Sequence, residues 1–204
     1  MAEADPIFLG YRVKKVIPRP EWLTDQRVID ICSVSDCMSE PPANWIERWD
    51  FNAAGCYSTL EIAISTIPVA DLLAYSAFAY FFYPVEIDDV GCANPKSALD
   101  LFNADPEEFP SDPPPMNFVE IGFDVVNGPP AQPATGPITR SVSSFSCSPL
   151  SCNNLSREYN VNEHCLLKGY QDAVAAAQRF AASGAEPPPY YIVRVHRCDR
   201  PLNY

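Results

Sequence analysis

The feature that most constrains the fold of this chain is a cysteine motif, C-S-x-x-x-C, that occurs twice. It spans residues 32–37 and residues 147–152. Flanking segments match in the same order: 9–13 resembles 121–125, 49–52 resembles 159–162, and 83–87 resembles 191–195. Matches that keep their order along the chain indicate an internally duplicated unit.

The duplication predicts the domain organisation. Residues 1–92 form the first repeat unit, 93–117 an acidic, proline-rich linker, and 118–204 the second repeat unit. Each unit is predicted to run strand, strand, cysteine loop, helix, strand, which is an α+β arrangement with a helix packed on a small sheet. Two copies of one unit pack naturally about a twofold axis, so we expect pseudo-twofold symmetry between the halves.

Local patterns place the main elements. Gly10 and Gly122 each interrupt an apolar strand segment, and a glycine inside a strand marks a β-bulge or a close backbone approach. Residues 170–182 are rich in alanine and carry apolar side chains at helical spacing, which predicts the strongest helix of the chain. Gly184 and the prolines at 187–189 predict where this helix ends.

The charge balance limits the partners that the chain can bind. It has 26 acidic and 14 basic residues, a formal net charge of −12. Nucleic acids and anionic membranes attract positive surface, so we expect neither as a partner. The most apolar run, residues 74–85, is too short to span a bilayer. Residues 1–5 lack the basic start and apolar core of a secretory signal, so we expect a cytoplasmic protein.

The eight cysteines allow three interpretations. Thiols stay reduced in the cytoplasm, so we expect buried free thiols rather than disulfides. A zinc site is the second alternative, and its ligands would be Cys32, Cys37, Cys147 and Cys152, whose spacing lies at the upper end of the range for structural zinc. Structural sites favour C-x-x-C pairs, however, and we therefore predict no bound metal and no other cofactor.

A thiol enzyme is a further alternative. Cys147 or Cys152 would act as the nucleophile, with His164 or His196 as the base. The duplication counts against this pairing, because the first unit has Gly55 in the place of His164. The glycines are also too scattered for a phosphate loop or a dinucleotide fingerprint. The sequence therefore favours a protein without catalytic activity.

Four asparagines are candidate binding residues. Asn44 and Asn52 have the same spacing as Asn154 and Asn162. Asparagine caps helices and shapes turns, so the structural role is the default, and contact with a polar ligand beside the cysteine loop is the alternative.

These observations favour a non-catalytic binding protein. Its acidity suits the capture of a basic protein partner, as in an immunity- or inhibitor-like protein. The alternatives are a cysteine-dependent enzyme with its site between the two halves and a zinc-stabilised structural subunit.

Overall fold

One antiparallel sheet crosses the middle of the molecule. The computed structural model describes residues 5–43, 45, 50–128 and 145–202. The strands in these ranges are β1 Ile7–Lys14, β2 Ile17–Pro18, β3 Asp30–Ile31, β4 Ser76–Ile87, β5 Ala93–Pro95, β6 Phe118–Asn127 and β7 Tyr190–Cys198. The main sheet has the order β1-β4-β7-β6, with β5 paired to β4, while β2 and β3 form a separate small ladder.

Helices accompany the sheet, so the predicted α+β class is confirmed. The α-helices of the described ranges are α1 Leu60–Ile64, α2 Ala98–Phe102, α3 Pro149–Cys152 and α4 Tyr170–Ser183. Short 3₁₀ turns occur at Asp36–Met38, Val69–Ala74, Pro106–Glu108 and Leu155–Glu158. None of the helices in these ranges combines the length and the apolar character needed to cross a bilayer. The serine-rich residues 139–147 are also a strand candidate by their sequence, and most of this segment lies outside the described residues.

The two predicted β-bulges are present. Pairing shifts register at Gly10 in β1 and at Gly122 in β6, and these residues have φ of 113° and 136°. A Cβ on Gly10 would collide with the carbonyl oxygen of Tyr57, and one on Gly122 with that of Leu167. Each glycine therefore allows a loop to lie against the outer edge of its strand.

Strand β4 lies at the centre of the hydrophobic core. Ala77, Phe78, Ala79 and Tyr80 are all fully buried, so both faces of the strand are covered. Burial on both faces explains why this part of the sequence is a continuous apolar run rather than an alternating one.

The segment 93–117 contributes to the core as well as joining the two halves. The ring of Phe102 packs against those of Phe82 and Phe109, at centroid distances of 4.9 Å and 5.4 Å. The side chain of Phe102 is fully buried.

Helix α4 confirms the helix prediction. Ala173, Val174, Ala177 and Phe180 form its buried face, and Phe180 contacts the ring of Tyr190 at 5.8 Å between centroids. The helix ends at Gly184, which has a φ of 67° and donates its N–H to the carbonyl of Phe180.

We expect Phe180→Ala to lower the free energy of unfolding by about 3–5 kcal/mol, because it empties a fully buried aromatic position. Gln171→Ala, on the exposed face of the same helix, should change it by less than about 0.5 kcal/mol. Denaturant unfolding curves measure the difference, and equal shifts for the two variants would contradict the packing described for α4.

Candidate three-thiol site

Three cysteines from the two C-S-x-x-x-C motifs meet in one place. The sulfur atoms of Cys37, Cys147 and Cys152 all lie within 4.8 Å of one another, and all three are free thiols. We call this group the thiol cluster. It contains three of the four cysteines predicted as zinc ligands, and Cys32 is the one that it does not include.

Backbone hydrogen bonds hold the two cysteine loops together. Cys37 lies in the 3₁₀ turn Asp36–Met38, and its N–H donates to the carbonyl of Ser146 at 3.4 Å. The preceding N–H, of Asp36, donates to the carbonyl of Phe145 at 2.7 Å. Cys152 ends helix α3, which begins at Pro149. The first loop therefore lies directly alongside the second.

A second set of bonds ties the cluster to the end of β6. The N–H of Cys147 donates to Oδ1 of Asn127 at 2.9 Å, and the N–H of Asn127 donates to the carbonyl of Cys147 at 2.9 Å. Cys147 thus has a fixed position relative to the sheet.

The three thiols differ in exposure and in acidity. Cys37 is exposed, whereas Cys147 and Cys152 are half-buried. A hydrogen bond with the Cys152 thiol lowers the pKa of Cys37 to about 6, and a hydrogen bond with Ser35 acts in the same direction. Burial raises the pKa of Cys147 to about 11, and the hydrogen bond to Cys37 raises that of Cys152. The cluster therefore combines one thiol of lowered pKa with two thiols of raised pKa.

A buried carboxylate lies between the two cysteine loops. Asp124 of β6 accepts hydrogen bonds from the hydroxyls of Ser33 and Ser148, both at 2.6 Å, and from the N–H of Val34 at 2.8 Å. The two serines are the second residues of the two motifs. Burial raises the pKa of Asp124, and these hydrogen bonds oppose that effect. Asp124 therefore positions both loops that carry the thiols.

Lys14 completes this buried polar group. Its side chain is fully enclosed, and its ammonium donates a hydrogen bond to the carbonyl of Ser33. Burial lowers the pKa of Lys14 to about 8, while the nearby carboxylate of Asp124 opposes that shift. Sequence reasoning missed Asp124 and Lys14. The only signal available was a charged residue inside an otherwise apolar strand.

Cys32 belongs to a different cluster. Oδ1 of Asp30 lies 2.7 Å from Nδ1 of His164 and accepts a hydrogen bond from the Cys32 thiol at 3.4 Å. The guanidinium of Arg197 lies 3.7 Å from both the Cys32 sulfur and the Asp30 carboxylate. Burial raises the pKa of Cys32 to about 12. The neighbouring guanidinium disfavours a metal ion here. The contacts of this cluster join β3 to the loop that contains His164.

The histidines predicted as catalytic bases lie apart from the thiol cluster. His164 is in the cluster just described. His196 packs on the ring of Phe81, with 4.9 Å between centroids, and its Nε2 lies 3.9 Å from a carboxylate oxygen of Glu120. Burial lowers the pKa of His196 to about 4, so the ring is neutral. The structure thus brings Cys147 and Cys152 together but groups neither histidine with them.

Two of the predicted binding asparagines hold loop 52–56 beside β1 and loop 162–166 beside β6, which we call the edge loops. Nδ2 of Asn52 donates to the carbonyl of Leu9 at 2.7 Å, and Nδ2 of Asn162 donates to the carbonyl of Ile121 at 2.5 Å. Their Oδ1 atoms accept backbone N–H groups of their own loops. Both amides are thus engaged by the chain itself.

The other two asparagines have separate positions. Asn154 has a φ of 57°, and its Oδ1 accepts the N–H of Thr24 at 2.9 Å. Asn44 lies outside the described residues.

The expectation of buried thiols is correct for only part of the set. Cys32, Cys56 and Cys165 are buried, whereas Cys37 and Cys92 are exposed. Burial was the wrong prediction for Cys37, because its loop turns outward to meet the second motif.

Comparisons of the chain with protein-family models, with curated proteins and with solved structures returned no match.

We expect iodoacetamide to modify Cys37 faster than Cys147 and Cys152 at neutral pH, because the thiolate is the reactive form and Cys37 is both exposed and acidic. Its rate should rise with pH around a midpoint of about 6. Peptide mass spectrometry after timed alkylation measures each site, and the exposed Cys92 is an internal reference. A slower reaction at Cys37 than at Cys92 at neutral pH would contradict the prediction.

Proposed function

We propose that this chain is a non-catalytic metal-binding protein that holds a thiophilic metal ion through the thiol cluster. The observation that carries the proposal is the convergence of three sulfur atoms within 4.8 Å. A tetrahedral zinc with Zn–S bonds of about 2.3 Å has sulfur atoms about 3.8 Å apart, so small side-chain rotations are enough to seat an ion.

The surroundings of the cluster fit a metal site. The thiolate is the form that binds metals, and the exposed Cys37 gives an ion a way in from solvent. Partners behind the ligands fix their orientation in metal sites, and the hydrogen bonds of Asp124 to Ser33 and Ser148 fix both loops in this way. No histidine or carboxylate joins the thiol cluster as a general base among the described residues, which favours binding over catalysis.

We expect the full-length chain, purified under reducing conditions, to bind one equivalent of a thiophilic metal ion. Cys37→Ser should weaken binding by at least about 100-fold, since even partners behind the ligands contribute 10–100-fold to metal affinity. Cys92→Ser is the matched control, because Cys92 is also an exposed thiol but lies outside the cluster.

Titration with a chromophoric competitor, together with elemental analysis, measures both stoichiometry and affinity. The proposal fails if the wild-type chain binds no metal, or if Cys92→Ser loses as much affinity as Cys37→Ser.

We also infer that the two halves derive from one duplicated unit and pack about an approximate twofold axis. The central strands β4 and β7 pair antiparallel, and β1 and β6 lie outside them. Each outer strand has a glycine bulge. Beside each outer strand lies an edge loop, and the asparagine side chain of that loop donates a hydrogen bond to the carbonyl of the residue before the glycine.

The hydrogen bonds favour a particular alignment of these edge loops. The first and last residues of loop 52–56 are joined by a backbone bond of 2.9 Å, and those of loop 162–166 by one of 2.8 Å. Cys165 then matches Gly55, and both have positive φ, 61° and 68°. His164 consequently matches the residue before Gly55, one position away from the match that sequence comparison indicates.

The cysteine motifs themselves occupy different places in the two halves. The carbonyl of Cys147 accepts the N–H of Asn127 at the end of β6, as the carbonyl of Glu40 accepts the N–H of Lys15 just after β1. Cys147 therefore takes the place of Glu40 rather than that of Cys32. The inferred duplication applies to the strands and edge loops.

If the edge loops are equivalent, Asn52→Ala and Asn162→Ala should destabilise the fold to a similar degree. Each removes the acceptor of two backbone N–H groups, and we expect each to cost on the order of 1–3 kcal/mol. The exposed Asn160 is a control, and its alanine variant should change stability by less than about 0.5 kcal/mol. Chemical denaturation measures all three, and a large effect at only one of the two loops would argue against their equivalence.

We also keep the proposal that this chain binds a basic protein partner, in addition to a metal ion. The observation that favours it is the exposed acidic series in the joining segment, which comprises Asp100, Asp105, Glu107, Glu108 and Asp112. A cytoplasmic location also remains a proposal, and it suits the metal site because thiols stay reduced in that compartment.

A further inference from the structure

We infer that the ion held by the thiol cluster is monovalent copper, bound by three sulfur ligands and no other protein atom. The inference rests on the proposed metal-binding function and adds the identity of the ion. Its basis is the number and the kind of donor atoms that the fold brings together.

Among the described residues, the donor set of the thiol cluster consists of three sulfur atoms. All eight cysteines and both histidines of the chain lie in the described ranges, yet only Cys37, Cys147 and Cys152 fall within the 4.8 Å group. Residues 129–144, which lie between the described ranges and precede the second motif, contain no cysteine, histidine, aspartate or glutamate. Asp36 in the first motif is the neighbouring carboxylate, and it is not a member of the 4.8 Å group.

Three thiolates without a nitrogen or oxygen ligand match the preferences of a soft ion. Structural zinc sites close a tetrahedron with four protein ligands, and catalytic ones add water to a set that includes histidine. Thiolates select Cu(I), zinc and iron–sulfur clusters, whereas harder ions prefer oxygen ligands. Of these thiophilic groups, Cu(I) is the one that accepts trigonal coordination by three sulfur atoms alone. The Cys37 thiol donates a hydrogen bond to the hydroxyl oxygen of Ser35 at 3.6 Å, and this contact fixes the position of the Cys37 sulfur.

The mixed cluster of Asp30, Cys32 and His164 does not compete for the same ion. It offers oxygen, sulfur and nitrogen, and the guanidinium of Arg197 lies 3.7 Å from two of its members. Among the described residues, the thiol cluster is the all-sulfur group that meets the geometric requirement.

The test uses the full-length, reduced chain without oxygen. Cu(I) is titrated in competition with bathocuproine disulfonate, and Zn²⁺ in a parallel competition with a chromophoric zinc chelator. We expect one Cu(I) per chain, X-ray absorption showing three sulfur neighbours and no nitrogen or oxygen neighbour, and release of Zn²⁺ when Cu(I) is added. Cys37→Ser should lose the tight Cu(I) site, and Cys92→Ser should keep it.

The outcomes separate this inference from the metal-binding function itself. One Zn²⁺ per chain that Cu(I) does not displace, or a copper site with a nitrogen or oxygen neighbour, would overturn the copper assignment and leave the metal-binding proposal standing. Binding of neither ion would overturn both. Circular dichroism shows whether Cys37→Ser is folded, and Cys152→Ser provides a second ligand variant in case it is not.

Discussion

The structure around the cysteines depends on one buried carboxylate. Asp124 is fully enclosed, and an enclosed charge is tolerated only when hydrogen bonds replace its lost hydration. The hydroxyls of Ser33 and Ser148 and the N–H of Val34 supply those bonds. Removing a hydrogen-bond partner from a buried polar group typically costs about 1–3 kcal/mol, and more when the group is charged. The two motif loops are therefore held to the same strand, and the spacing of the thiols follows from that attachment.

Local features of this fold could be predicted from the sequence because each depends on nearby residues alone. The glycine bulges at Gly10 and Gly122 and the end of α4 at Gly184 are backbone requirements that a single residue type satisfies. The buried face of α4 follows from side-chain spacing along one helix. The repeated motif was also recognisable, although its letters did not show that both serines bind one carboxylate.

Sequence reasoning could not place the cysteines, because their positions depend on how the chain crosses between its halves. The N–H of Ile29 donates to the carbonyl of Glu163 at 2.8 Å, and that of Cys32 to the carbonyl of His164 at 3.2 Å. This crossing buries Cys32 against the second half and turns Cys37 outward toward the second motif. No local sequence pattern distinguishes the buried position of Cys32 from the exposed position of Cys37, since both cysteines belong to the same short loop.

The crossing of residues 28–37 onto the second half also constrains how such a protein can arise. Neither half alone contains a complete thiol cluster, and the second half alone would leave Asp124 without Ser33 and Val34. Under the duplication that we infer, a single unit could have formed a comparable site only as a homodimer with exchanged segments. In the present chain the first half supplies one thiol and the second half supplies two. The thiol cluster is therefore a property of the whole chain, and neither half carries it alone.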